Sequence, residues 1–470
     1  MSRSKRDETN EDLAAVVADL RSVVSRLEAT VAELKETVAA REARIAELEA
    51  QLGEARRSGK RQAAPFSKGS PDGEPARPGR KSGRAHGRHG HRMAPTNPDR
   101  VLDAPLPQCC PHCGGEIDHE RDAEQFQAEL PDLRPVLTRF RVGVGRCRNC
   151  RRRVQGRHPE QASDALGAAA SQVGPVSKAW AAWLHYGLGL SFAKCARLLA
   201  RLGIDVSAGA LCQAAQRSGT DLVPVHAEIV RRVNDAPMVV ADETGWRVGG
   251  RTAWLWVAAT KDATAYNVAH GRGFEQATDL LFEDYDGVVV RDGWAPYRRY
   301  AEATHQTCIA HLLRRCDELV ADLPASARGT PRMVAELLHQ ALAARDLDEA
   351  GRGEVVEDLV ERIELLDPDA QGHDECRKLV AHLQREADAL FSFLAIPDID
   401  ATNWRAEQAI RPAVVNRKVW GGNRTWRGAA TQGRIMSVLR TAAQQGVDEV
   451  DYLAGLARAP TPKAMPSLFT

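Results

Sequence analysis

No run in this 470-residue chain approaches the ~20 consecutive apolar residues that a membrane helix needs, so no membrane-spanning helix is expected. The opening "MSRSKRDETNEDLAA" also lacks the apolar core of a signal peptide. Both absences predict a cytoplasmic protein whose thiols stay reduced, so its 10 cysteines point to metal binding or core packing, not disulfides. Net charge is missing as well. Lys and Arg number 64 against 63 Asp and Glu, which leaves +1, and overall charge names no partner.

The distribution of charge is more informative. Residues 56–100 hold 12 Lys/Arg against 3 Asp/Glu, in a Gly-, Pro- and Ser-rich composition that cannot bury a core. This basic arm, with Arg80, Lys81, Arg84, Arg88 and Arg92, is expected to contact phosphates. Before it, residues 13–52 carry a heptad. Val17, Val24, Val31, Val38, Ile45 and Leu52 fall at a; Leu13, Leu20, Leu27, Leu34 and Leu48 fall at d, with Arg41 the one fault. β-Branched a positions with Leu at d favour a parallel two-stranded coiled coil, hence self-association as a homodimer or larger assembly.

Two CxxC pairs follow, Cys110 with Cys113 and Cys147 with Cys150. Four thiolates complete a closed tetrahedral zinc site. The long spacer "EQFQAELPDLRPVLTRFRVGVG" is expected to fold back as a small hairpin, and Cys109 is the spare thiol. "RCRNCRRRV" sets five Arg beside the second pair. Residues 176–218 read as helices broken at Gly203 and restarted with Ser207 as N-cap, a helix-turn-helix spacing. The second of these helices is Ala-rich and poor in base-reading side chains.

From 236 the period changes. "MVVADETGWRV", "TAWLWVAAT" and "ATAYNVAHG" read as strands, "FEQATDLLFED" as a helix, and "GVVVRDGW" as a buried parallel strand. "PYRRYAEA" reads as a helix and "HQTCIAHLLRRCDELV" as a strand running into one. Three antiparallel strands, a helix and a parallel strand is the order of a ribonuclease-H-like core. Residues 320–395 return to helical spacing and read as an insertion.

Asp242 is expected to end the first strand and Asp292 the fourth, which makes the two carboxylates neighbours on one edge. Carboxylate oxygens suit Mg²⁺, and two such ions serve phosphodiester chemistry. A third acid is expected at Glu407, on a short helix that opens after Thr402 or Asn403 and breaks near Pro412. Glu243 is second choice because strand alternation turns it to the other face. Asp398 and Asp400 are rival third acids that precede the helix. Arg411, Arg417, Lys418, Arg424 and Arg427 follow Glu407 and suit phosphate clamping, while Trp404, Trp420 and Trp426 suit either base stacking or core packing. Cys308, His311 and Cys316 are expected to be a buried thiol pair and a core histidine ahead of a second metal cluster.

"DET", "RDGWAPY", "TNWRAEQAIRP" and "NRKVWGGNRTWRG", with the Cys pairs and the heptad, resemble the insertion-sequence-sixty-six family of bacterial transposases over essentially the whole chain. The resemblance implies a DDE catalytic domain with Asp242, Asp292 and Glu407 as the acids, holding two Mg²⁺ (or Mn²⁺) ions. Gln408 stands where the family motif usually has Arg. The implied architecture is α+β and multidomain. It comprises a coiled coil (1–55), a basic arm (56–100), a zinc-binding, DNA-binding module (101–160) and a helical region (165–232). A ribonuclease-H-like mixed α/β core (233–320 and 397–447) follows, split by a helical insertion (321–396) and closed by a C-terminal extension (448–470). The implied activity is Mg²⁺-dependent hydrolysis at transposon ends and attack of the freed 3′-hydroxyl on target DNA. Implied partners are the two DNAs, a second copy of the chain and accessory proteins of the same element, in the bacterial cytoplasm at the nucleoid. The alternatives are a catalytically silent, transposase-derived DNA-binding regulator and a structure-specific nuclease on the same core.

Overall fold

The computed structural model describes residues 95–131, 133–167, 172–369, 372–458 and 467–469, together with Val24, Ser25, Lys35, Val38 and Arg41. Those five are helical. The rest of the heptad, and Arg80, Lys81, Arg84, Arg88 and Arg92 of the arm, lie outside the described residues. The chain divides into two compact units, Met1–Gln127 and Ala128–Thr470. No helix among the described residues is long and apolar enough to cross a membrane.

The described part of the first unit holds one CxxC turn, in which the Gly114 N–H donates to Cys110 O and the Cys110 N–H to Gly115 O. The second unit opens with a matching turn, where the Arg151 N–H donates to Cys147 O and the Cys147 N–H to Arg152 O. Each turn places a residue in the left-handed region at the same offset, Gly114 at φ 74° and Arg151 at φ 58°. Contrary to the expected hairpin between the Cys pairs, no strand forms over the described residues of 117–143. The hairpin is instead β1 (Val144–Arg146) with β2 (Arg153–Gln155), antiparallel, and it straddles the second turn. A turn closed by its own backbone bonds holds two flanking strands in register locally, whereas the spacer has no such clasp.

Four helices follow: α1 (Pro175–Ala182), α2 (Phe192–Arg201), α3 (Ala208–Asp221) and α4 (Val223–Asn234). Ala181, Leu184, Cys195, Leu199 and Leu211 form a core shared by α1, the turn after it, α2 and α3. Ser207 caps α3 as its residue type predicts, its hydroxyl accepting from the Ala210 N–H at 3.1 Å. Gly203 makes the preceding turn at φ 82°.

The central sheet has five strands in the order β5-β4-β3-β6-β7. They are β3 (Met238–Val248), β4 (Arg251–Ala259), β5 (Thr264–Ala269), β6 (Val288–Arg291) and β7 (Thr304–Thr307). β3, β4 and β5 pair antiparallel; β6 runs parallel to β3, and β7 parallel to β6. Directly paired residues share a face, so Asp242, Val257 and Tyr266 point one way and Glu243, Trp256 and Asn267 the other. α12 (Trp404–Trp420) packs on β3 and β4, and α13 (Trp426–Gln444) and α4 pack on β5. Gly433 lets α13 approach backbone to backbone: a Cβ there would lie 2.8 Å from Tyr266 O. The opposite face is covered by Tyr297, whose ring meets Trp256 edge-on with centroids 6.1 Å apart. With both faces covered, β4 is buried almost throughout, and each large apolar side chain so enclosed contributes about 1.5–3 kcal/mol.

Two expected helices are shorter than read. "FEQATDLLFED" gives a single turn, α5 (Phe274–Ala277), and Leu280 and Leu281 are buried beyond its end. "PYRRYAEA" gives a 3₁₀ turn, Ala295–Arg299, whose spacing brings Tyr297 and Tyr300 into the core. β7 runs into α6 (Ile309–Asp322) as read. The insertion comprises α7 (Gly329–Ala343), α8 (Glu349–Glu364), α9 (Asp374–Arg385) and two single turns, α10 (Ala387–Leu390) and α11 (Ser392–Ala395). α12 runs unbroken through Pro412, a correction to the expected break. Proline removes one intrahelical bond, yet Ala409, Ile410, Ala413 and Val414 on either side are buried, and that packing outweighs the loss. α14 (Glu449–Arg458) closes the fold.

Candidate active site

Asp242 does not end a strand. It lies inside the 11-residue β3, because β3 continues along β4 after β6 has stopped. The parallel register ends at Val240 opposite Val290, so Asp242 and Asp292 each stand two residues further on, side by side where the parallel ladder opens. Glu407 lies in the first turn of α12, where the positive end of the helix dipole favours a carboxylate. That helix packs on β3 and β4, the face toward which Asp242 points.

Asp242 feels the charges of both other acids. Burial first, then the charges of Glu243, Asp292 and Glu407, hold the Asp242 carboxyl well above the usual carboxylate range, against one favourable contact from the Glu243 N–H at 2.8 Å. Asp292 accepts a turn hydrogen bond from the Trp294 N–H at 2.9 Å. Among the described residues, Asp242 and Asp292 have no ion-pair partner. Glu407 Oε1 stands 3.6 Å from His311 Nε2 and 3.6 Å from an Arg314 guanidinium nitrogen, both on α6. Burial lowers the His311 pKa, while Glu407 and Asp292 pull it back up. Asn403, the N-cap residue of α12, is fully buried; its backbone N–H donates to Cys308 Sγ at 3.3 Å, while its side-chain amide and His311 Nδ1 lack hydrogen-bond partners among the described groups. The sequence offers Asn403 only as a start for α12 and gives no sign of Arg314, because only folding brings α6 against that start.

Among the described residues, no three His, Cys, Asp or Glu side chains converge closely enough to enclose a metal ion. The donor chemistry nevertheless suits a hard divalent cation: carboxylates that repel one another and lack a cationic partner on Asp242 or Asp292. Glu243 sits on the other face, as alternation predicts. Its buried carboxylate accepts from Arg272 Nε at 2.7 Å and from the Tyr297 hydroxyl at 2.8 Å, and its pKa is raised by burial and by Asp292. Arg272 in turn lies over the Trp294 ring, 3.8 Å from its centroid. Asp400 is bound to Arg405 at 3.0 Å, and Asp398 lies in the left-handed region at φ 64°.

Of the basic residues after Glu407, Arg411, Lys418, Arg424 and Arg427 are exposed and Arg417 is half-buried. Burial and the neighbouring Arg247 lower the Arg417 pKa. Trp420 is half-buried, stacked on His185 at 4.7 Å and edge-on to Trp246 at 5.9 Å, whereas Trp404 and Trp426 are 40% and 39% exposed. Cys308 and Cys316 are buried thiols, pushed up to about 11 and about 12 by burial, and they form no ligand set with His311 among the described residues. Cys110 and Cys147 are shifted the other way. Backbone N–H groups of His112 and Cys113, and of Cys150 and Asn149, lower their pKa values and favour thiolates.

A mixed α/β core of this layout, with helices on a five-stranded sheet, is consistent with the core of a transposase. The sequence pattern described as "Transposase IS66 family" matches residues 170–431, more than half of the chain, and the chain belongs to that family. It is also similar to the uncharacterized protein y4qI of Sinorhizobium fredii, 27% identical over an alignment of 316 residues that covers 59% of this chain. The chain spans 57% of that relative's length.

Proposed function

We propose that this protein is a DNA transposase of the DDE type, with Asp242, Asp292 and Glu407 as its catalytic acids. The observation that carries the reading is the register of β3 and β6, which brings Asp242 and Asp292, the latter just past the end of β6, to the point where the parallel ladder opens, with the charge of Glu407 also acting on Asp242. The strand order, three antiparallel strands followed by two parallel ones, supports a ribonuclease-H-like core. The same three residues would hold two Mg²⁺ ions, or Mn²⁺. Bound there, the ions would activate the attacking oxygen and stabilise the leaving one in phosphodiester hydrolysis and strand transfer. The protein's own part is to orient the acids and exclude competing partners. β3 and β6 fix two of them, and the first turn of α12 fixes the third. His311 and Arg314 offset the charge of Glu407, and the exposed Arg411 and Lys418 further along α12, Arg424 in the turn after it and Arg427 on α13 supply phosphate contacts.

Zinc on Cys110, Cys113, Cys147 and Cys150 belongs to the same reading, supported by two turns of identical hydrogen-bond pattern that each aim backbone N–H groups at a thiol. The N-terminal heptad would pair two chains so that both transposon ends are held together, in a cytoplasmic, nucleoid-associated complex with any accessory proteins of the element.

The deciding experiment is Mg²⁺-dependent cleavage and strand transfer on a labelled duplex carrying a transposon end. Asp292→Asn is expected to abolish both steps while end binding persists. Cleavage that survives the substitution refutes the assignment of the acids. Cleavage without joining identifies a structure-specific nuclease instead, and end binding without either step identifies a regulator.

A further inference from the structure

Glu386 is a carboxylate with 0% of its side chain exposed, well away in sequence from any acid of the site. It follows α9 directly, at the end of the helical insertion. Its Oε2 accepts from an Arg291 guanidinium nitrogen at 2.6 Å and from the Thr307 hydroxyl at 2.7 Å, and its Oε1 accepts from Arg298 at 3.0 Å. Arg291 is itself 2% exposed and also donates to the Thr307 hydroxyl at 3.2 Å. A buried carboxylate answered by two guanidinium groups and a hydroxyl is fully satisfied, and removing any partner strands the others.

What matters is where this cluster attaches. Arg291 is the last residue of β6, and the next residue is Asp292. On the other side of Asp292, Gly293 turns the chain at φ 80° and lies against the His382 ring; a Cβ there would meet its Cε1 and Nε2 at 3.2 Å. His382 is on α9, one turn before Glu386. The insertion therefore grips the chain immediately before and immediately after Asp292, and touches neither Asp242 nor Glu407 through these contacts. The adjoining turns reinforce the hold: Gln306 of β7 donates to Leu390 O at 2.9 Å and accepts from the Phe393 N–H at 2.9 Å.

We propose that the helical insertion acts as a clamp that sets the position of Asp292, with Glu386 as its positioning residue through Arg291. This deepens the reading of Asp292 as a catalytic acid and rests on it for the activity readout only. An acid held from both sides does not need the metal to order its backbone. Without the clamp, the two residues flanking Asp292 become free to move, and a displacement of about 1 Å at a catalytic group costs on the order of 100-fold in rate.

The test uses the full-length chain and four forms: wild type, Glu386→Gln, Thr307→Val, and Leu383→Ala as a control that damages the same helix without touching the cluster. Amide hydrogen exchange over 289–294 is measured alongside end binding, single-turnover cleavage and its Mg²⁺ midpoint. Glu386→Gln is expected to speed exchange at 291–294, to lower cleavage about 100-fold and to raise the Mg²⁺ midpoint, with end binding unchanged. Thr307→Val moves the same readouts less far, and Leu383→Ala leaves exchange at 291–294 and the midpoint at wild-type values. Unchanged exchange in both Glu386→Gln and Thr307→Val overturns the clamp, as does an equal effect from Leu383→Ala. Should Glu386→Gln not fold, Thr307→Val alone decides by the same exchange criterion. A wild type that does not cleave defeats the assignment of the acids, while the exchange data still decide the clamp.

Discussion

Asp242→Asn removes a charge without changing shape, and the structure assigns it opposite effects on stability and activity. The carboxyl is enclosed beside Glu243, Asp292 and Glu407, and its one favourable contact is the Glu243 N–H. An amide oxygen keeps that contact, and its NH₂ group adds donors toward the neighbouring acids. Relief of strain at a functional site commonly stabilises by about 0.5–2 kcal/mol. In domains of ~150–250 residues 1 kcal/mol moves the melting midpoint by ~2–4 °C, and somewhat less in a larger unit. The variant should thus melt a few degrees above wild type in a chelator. The sign of the pH dependence follows from the direction of the shift. Asp242 holds its proton to higher pH when folded than when unfolded, so wild-type stability is lost as pH rises from the ordinary 3.8 toward the raised value. The advantage of the variant should vanish below about pH 4, grow through that window and then level off. Mg²⁺ should stabilise wild type more than the variant, because the variant lacks one of the three proposed ligands. Thermal unfolding across pH, with chelator or Mg²⁺, measures all of this. A variant that melts at or below wild type in chelator at neutral pH would refute the claim of carboxylate crowding.

Gly433→Ala should destabilise although Ala is the better helix former, because its Cβ would sit 2.8 Å from Tyr266 O. The overpacking cost is ~1–3 kcal/mol, read as a lowered unfolding midpoint, and a raised midpoint would contradict the close approach of α13 to β5. Purified protein should carry about one tightly held zinc ion per chain, lost in Cys110→Ser with Cys147→Ser and retained in Cys308→Ser with Cys316→Ser. Metal analysis of the three forms decides, and zinc that follows Cys308 and Cys316 would reverse the assignment.

Some of this protein was written in local sequence. Alternation set Asp242 and Glu243 on opposite faces of β3, Ser207 capped α3, and Asn403 opened α12. The β-rich runs of β3, β4 and β5 and the helical spacing of the insertion were legible because each reflects residues that stay close along the chain. What the chain order hid lies between distant segments. The length of β3 depends on β4 continuing after β6 has ended, so Asp242 became an interior strand residue. Pro412 was carried through α12 by apolar neighbours packed on either side of it. Glu243 drew Arg272 and Tyr297, and Glu386 drew Arg291, over separations at which no periodic pattern survives. Secondary structure follows from short-range hydrogen bonds and side-chain period, so the sequence by itself determined the strands, the caps and the candidate acids. Buried ion pairs form only when separate elements exclude water together, and only the tertiary structure decided which groups hold those acids in place.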